Sequence, residues 1–194
     1  MNRRNALIII GILAFIMIVG GVSYSYFVYN KDIGDVSFSM GGMKIELNKV
    51  TNNINLTSAI PVSNFIGKES TNYLDFTINS TVDTERLYYE VYIVPKKDNT
   101  INPKYINLYL TDQNDNEKTS VKSYNELKDS KKGNGKVIYK DIIELNESHT
   151  SKNDSENFRL RLWIDESYSI TSSKTFDFDI YLYAFNVDKD YVIN

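Results

Sequence analysis

The chain has 194 residues, 42% of them hydrophobic and 24% charged, with a formal net charge of −3 and no cysteine. A chain of this length builds one ordinary domain without staples, and the lack of a thiol removes disulfides, Cys–His chemistry and most structural zinc sites. Arg3 and Arg4 are the only charges before Lys31, so the remainder is more acidic still, which excludes the basic footprint of a nucleic-acid binder or a polybasic membrane-surface module.

Ala6 to Val22 (ALIIIGILAFIMIVGGV) is an apolar run of 17 residues behind NRRN. Positive residues before such a run keep the N-terminus inside and send the rest of the chain outward. The run falls between a signal-peptide core of about 7–15 residues and a spanning helix of about 20. Two continuations stay open. Tyr24, Tyr26 and Tyr29 form an interfacial belt if the run is extended to spanning length. Ser23 and Ser25 supply the small −3 and −1 residues for scission before Tyr26 if it is cut. Residues 1–29 are therefore read as a signal peptide or N-terminal hydrophobic anchor helix, with signal peptidase or the bilayer as its partner. Residues 30–194 are read as an extracellular domain.

Beyond Asp35 the dominant period is two, the signature of strands with one face buried. DVSFSMGGMKIEL alternates Val36, Phe38 and Met40, then Met43, Ile45 and Leu47, with Gly41-Gly42 as the turn or bulge between them. YLDFTIN aligns Leu74, Phe76 and Ile78. RLYYEVYIV puts Leu87, Tyr89, Val91 and Ile93 on one face and Tyr88, Glu90, Tyr92 and Val94 on the other. YINLYL buries Ile106, Leu108 and Leu110. VKSYNELKDS, with Tyr124 and Leu127 three apart, reads as a short helix, and Gly133 and Gly135 of KKGNG suit a hairpin connection into KVIYKDIIEL. NFRLRLWID buries Phe158, Leu160, Leu162 and Ile164 and turns Arg159 and Arg161 outward. TFDFDIYLYAFN buries Phe176, Phe178, Ile180, Leu182 and Ala184 against solvent-facing Asp177 and Asp179. The pattern predicts an all-β fold, an antiparallel β-sandwich (jelly-roll or Ig-like) of about seven to nine strands with one short helix, each strand having one buried and one solvated face.

Catalytic chemistry has little to work with. His149 is the only histidine and lies in the polar stretch ESHTSKNDSEN. No HExxH, G-x-S-x-G, P-loop or G-x-G-x-x-G occurs, so no catalytic or cofactor-binding residue is assigned and the chain is read as a non-enzyme. In TDQNDNEK, Asp112, Asn114 and Asn116 match the first three ligand positions of a calcium loop, but Glu117 stands where its glycine belongs and Ser123 where its bidentate glutamate belongs. The stretch is read as a solvated loop, with a weak calcium site as the alternative. Fifteen tyrosines are more than a core needs. Tyr181, Tyr183 and Phe185 continue the outward face of the last strand and form the candidate contact surface for another surface protein.

Gly20-Gly21, Ser23, Ser25 and Phe27, followed by the strand DVSFSMGGMKIELN with Gly41 and Leu47, give an N-terminal pattern that resembles the TasA/CalY/camelysin group. These are exported Gram-positive proteins processed by a dedicated signal peptidase. The resemblance covers about the first 50 residues, with serines where alanines are usual at the cut and FVYNKD in place of a shorter polar start. It implies a β-sandwich at the cell surface, outside the bacterial plasma membrane, or in the biofilm matrix. It also implies a homopolymer formed when one subunit donates an N-terminal strand to the next. Val36, Phe38 and Met40 are the candidate donor strand. The camelysin branch is associated with metallopeptidase activity, which is not carried over to a chain with one histidine and no cysteine.

Overall fold

The structure is a computed structural model that describes residues 36–40, 43–49, 54, 56, 59–82, 86–144, 152–169 and 174–193. The apolar run, Ser23, Ser25, Tyr26, the 29/30 boundary and His149 lie outside the described residues. Of Val36, Phe38 and Met40 only the backbone is described.

Nine strands occur among the described residues, in two antiparallel sheets. In chain order they are β1 (Val36–Met40), β2 (Met43–Lys49), β3 (Tyr73–Val82), β4 (Arg86–Pro95), β5 (Ile106–Thr111), β6 (Glu117–Ser123), β7 (Lys136–Glu144), β8 (Lys152–Ile164) and β9 (Phe178–Asn186). The larger sheet has the order β1-β2-β3-β8-β5-β6 and the smaller β7-β4-β9. Their facing sides supply one core. Phe76 and Phe158, cross-strand partners on β3 and β8, stack with centroids 5.1 Å apart. Tyr139 of the smaller sheet closes on Phe158 at 4.8 Å. Leu74, Phe76, Ile78, Leu87, Tyr89, Val91 and Ile93 are all buried there, as their spacing predicts.

The sequence pattern misleads at four places, two of them because something else covers a face. On β4 the second face is buried as well, with Tyr88, Glu90 and Tyr92 inaccessible to solvent. On β8 Arg161 alternates with core-facing Leu160 and Leu162 but is buried rather than solvated, and Trp163 on the same side is covered by a short helix, α1 (Asn64–Lys68), that the sequence pattern did not announce. Arg161 donates to Ser70 O at 3.1 Å and to Asp115 Oδ1 at 2.8 Å, and Arg159 holds Asp75 through two bonds of 2.9 and 3.0 Å. Gly67 allows α1 to sit this low, because a Cβ there would lie 2.2 Å from the Trp163 ring. The run EKTSVKS, polar on both faces, forms edge strand β6 through its pairing with β5. KKGNG does not join two strands of one sheet, since β6 and β7 lie in different sheets. It closes a tight turn, with Gly133 at φ +104°, over a single Asp129–Lys136 bridge.

The expected short helix is a single 3-10 turn, η2 (Tyr124–Glu126), and a second such turn, η1 (Pro103–Tyr105), leads into β5. Asp177, just before β9, and Asp179 on it both pair with Lys96. Among the described residues no helix is long and apolar enough to cross a membrane.

Candidate contact surface

The outer face of the smaller sheet is built by register. Across the β4–β9 ladder Tyr88 stands opposite Phe185, Glu90 opposite Tyr183 and Tyr92 opposite Tyr181. Directly opposed aromatic pairs are favourable on a sheet face, and the rings meet accordingly. Tyr92 stacks on Tyr181 at 5.3 Å, Tyr88 tilts against Phe185 at 4.9 Å, and Phe185 meets Tyr183 at 5.5 Å. The C-terminal segment brings Tyr191 edge-on to Tyr88 and Phe185 at 5.5 and 6.0 Å. Arg86 fixes that segment by donating Nη1 to the carbonyl oxygens of Asp188 (3.0 Å), Lys189 and Tyr191 (3.3 Å).

Glu90, 1% exposed, sits at the centre of this face. A buried carboxylate needs donors on both oxygens, and it has them. Tyr88 OH donates to Oε2 at 2.9 Å, while the Lys131 backbone N–H (2.9 Å) and Ser130 Oγ donate to Oε1. The carboxylate thereby pins the 129–135 turn against the sheet and sets Lys131 Nζ over three rings, 4.5 Å from Tyr88, 4.5 Å from Tyr191 and 5.0 Å from Phe185. An ammonium in such a cage is held by the ring quadrupoles.

Burial raises the Tyr88 phenol well above its usual range, with Glu90 adding to the effect. Burial also pushes Tyr92 up to about 12, helped by Tyr181. Lys140, opposite Glu90 on β7, is lowered by burial first and then by Lys128 and Lys131. Tyr88 and Tyr92 thus stay neutral and buried at ordinary pH, and the rings left partly exposed on this face are those of Tyr181, Tyr183 and Phe185. None of the family models, curated proteins or solved structures compared with this chain matches it.

The structure therefore brings Tyr181, Tyr183 and Phe185 together, half-buried, as part of a larger aromatic layer. Sequence reasoning placed Tyr88, Glu90 and Tyr92 on this face but gave Glu90 no role, and it missed Lys131, Arg86 and Tyr191. The signal available for Glu90 was a lone carboxylate flanked two residues either way by tyrosine on a strand face.

Asp112, Asn114 and Asn116 also come together, by bonding one another. Asp112 Oδ1 accepts from the backbone N–H groups of Asn114 (2.8 Å) and Asn116 (2.9 Å), and Oδ2 accepts from Asn116 Nδ2 at 2.7 Å. The Asn116 side-chain bond, with those from the backbone, lowers the Asp112 pKa. Asp112 serves the β5–β6 hairpin as its turn acceptor. Its neighbour Asp115, at φ 63°, points to Arg161 rather than into the loop. No group of three or more His, Cys, Asp or Glu side chains that could hold a metal occurs among the described residues.

Proposed function

We propose that this chain is an exported, non-enzymatic structural protein of the cell surface or biofilm matrix that assembles by exchanging β1 between copies. The observation that carries this reading is the position of β1. It is the terminal strand of the larger sheet, bonded to β2 alone over five residue pairs, Val36–Leu47 to Met40–Met43. A neighbour's β1 would make the same main-chain bonds to β2, so exchange trades like for like and leaves the core formed by the other strands in place. Export follows from the arginine-flanked apolar run, and scission before Tyr26 would leave ten residues ahead of Val36. The N-terminal resemblance to the TasA/CalY/camelysin group supports both points, and a jelly-roll-like strand arrangement belongs to the same reading.

A second reading, a membrane-tethered binding module, is favoured by the ordered aromatic layer at Tyr181, Tyr183 and Phe185, which a mere scaffold does not require.

The cysteine-free chain offers a direct test of strand exchange. Ser39 and Lys44 are cross-strand partners, so Ser39→Cys/Lys44→Cys ties β1 to its own β2 when oxidised. Electron microscopy of protein starting at Tyr26 should show fibres for the parent and the reduced pair, and none for the oxidised pair. Monomers in every preparation, at all concentrations and pH values tried, would sink the exchange reading. Intact mass of the native protein separates the two readings, since a retained residue 1–25 segment favours the tethered module.

A further inference from the structure

We propose that one corner of the domain, formed by Ile60, Phe65 and Ile66, seats on the lipid surface while the chain is membrane-attached. These residues are 74%, 80% and 56% exposed, and with Val192 they are the large apolar side chains standing most in solvent among the described residues. Phe65 and Ile66 adjoin in α1 and Ile60 precedes them on the same short segment, and large apolar side chains left this exposed along one segment mark a contact site rather than ordinary surface.

Their display is fixed. Val62 bridges Asp165 and donates its N–H to Ile164 O at 3.0 Å, Asn64 accepts from Asn107 Nδ2 at 3.0 Å, and Gly67 rests on Trp163. With Asn64 and Gly67 turned to the sheet, α1 holds Phe65 and Ile66 outward.

The direction of the chain argues for lipid as the occupant. β8 ends at Ile164 and β3 begins at Tyr73, opposite Arg161, so this corner lies at that end of the larger sheet. β2 runs toward the same end, and antiparallel β1 therefore receives the chain from it. Val36 lies level with Glu156 through Leu47 and Ile78, seven residues or about 23 Å along β8 from Trp163. The 13 residues between Val22 and Val36 reach about 45 Å when extended. A run ending at Val22 in the bilayer thus delivers the domain with this end toward the membrane and has chain enough to let the corner touch it. Lys68 at the end of α1 pairs with Glu117 at 3.9 Å, and Asp165 lies beside Val62, so the corner carries no basic face and its attachment is apolar rather than electrostatic.

This inference rests on the apolar run entering the membrane, and the test reads that step separately. Full-length Ile66→Cys protein is labelled with a polarity-sensitive dye and reconstituted in vesicles with brominated acyl chains. Asp154→Cys, at the far end of β8, serves as the control. Resistance to alkaline extraction reports the anchor, and quenching reports the corner. Expected are an anchored chain and about twofold stronger quenching at residue 66 than at 154. The difference should be lost in the Ile60→Ser/Phe65→Ser variant, whose changes are at exposed positions. An anchored chain quenched equally at both sites overturns the lipid seat alone, and a chain that washes off overturns the anchor with it. Shielding of the dye that grows with protein density rather than with lipid bromination assigns the corner to a second copy and also overturns the proposal.

Discussion

Replacing Glu90 should release the 129–135 turn from the aromatic layer. The carboxylate accepts from Tyr88 OH, the Lys131 N–H and Ser130 Oγ, and hydrogen bonds to a charged group contribute about 1.5–3 kcal/mol each without adding fully. In Glu90→Gln the amide oxygen can still face Ser130 and Lys131 while the Tyr88 hydroxyl rotates to accept from the new NH2, so about 1–2 kcal/mol is lost. Glu90→Ala strands three donors at a site that is 1% exposed and should cost about 3–5 kcal/mol. For a chain of this size each kcal/mol moves Tm by about 2–4 °C, so the alanine variant should melt about 10 °C lower. Urea denaturation followed by the single tryptophan gives the free energies, and amide hydrogen exchange at Lys131 reports the turn directly. The ordering parent, glutamine, alanine should hold in both measurements. An alanine variant within about 0.5 kcal/mol of the parent, with Lys131 exchange unchanged, would refute the claim that Glu90 pins the turn.

Gly67→Ala puts a methyl 2.2–2.7 Å from Trp163 ring carbons; α1 must lift, at about 1–3 kcal/mol, and the near-ultraviolet dichroism of Trp163 should change, an unaltered spectrum counting against the close approach. The tyrosines predict an alkaline transition. Burial foremost raises Tyr88, Tyr89 and Tyr139 beyond the ordinary range and brings Tyr92 and Tyr124 to about 12, against 10.0 when unfolded. With folded values above unfolded ones, this contribution to stability is complete below about pH 10 and disappears as pH rises through the folded values. Tyrosinate absorbance should therefore lag in the native protein and complete only as far-ultraviolet dichroism is lost, whereas full ionisation near pH 10 with the fold intact would contradict the burial assigned to these phenols.

Much of the larger sheet was legible because its strands obey a local rule. Leu74, Phe76 and Ile78, like Phe158, Leu160 and Leu162, alternate with polar residues and all point into the core. What the rule cannot say is whether a strand's second face will be covered by chain from elsewhere. Tyr88, Glu90 and Tyr92 look like a solvated face until the 129–135 turn, about 40 residues away, closes over Glu90. Arg161 reads as solvated until Ser70 arrives from about 90 residues earlier. β6 offered no apolar alternation because its strand character comes from β5, a case of tertiary context deciding what propensity leaves open. Of the candidate contact surface, the register was readable and the partners were not: Lys131 and Tyr191 reach Phe185 through the fold alone.

The pinned turn also bears on resistance to proteases. Lys131-Lys132, followed by Gly133, is a dibasic pair on an exposed loop tip, the kind of place where trypsin-like enzymes nick a folded chain. A protease must draw its target out into an extended strand, and here that means detaching Lys131 N–H from Glu90 and its ammonium from three rings. The rate of scission at this pair is thereby tied to how often the turn opens. A buried glutamate about 40 residues away in the chain becomes a determinant of how long the folded protein resists scission.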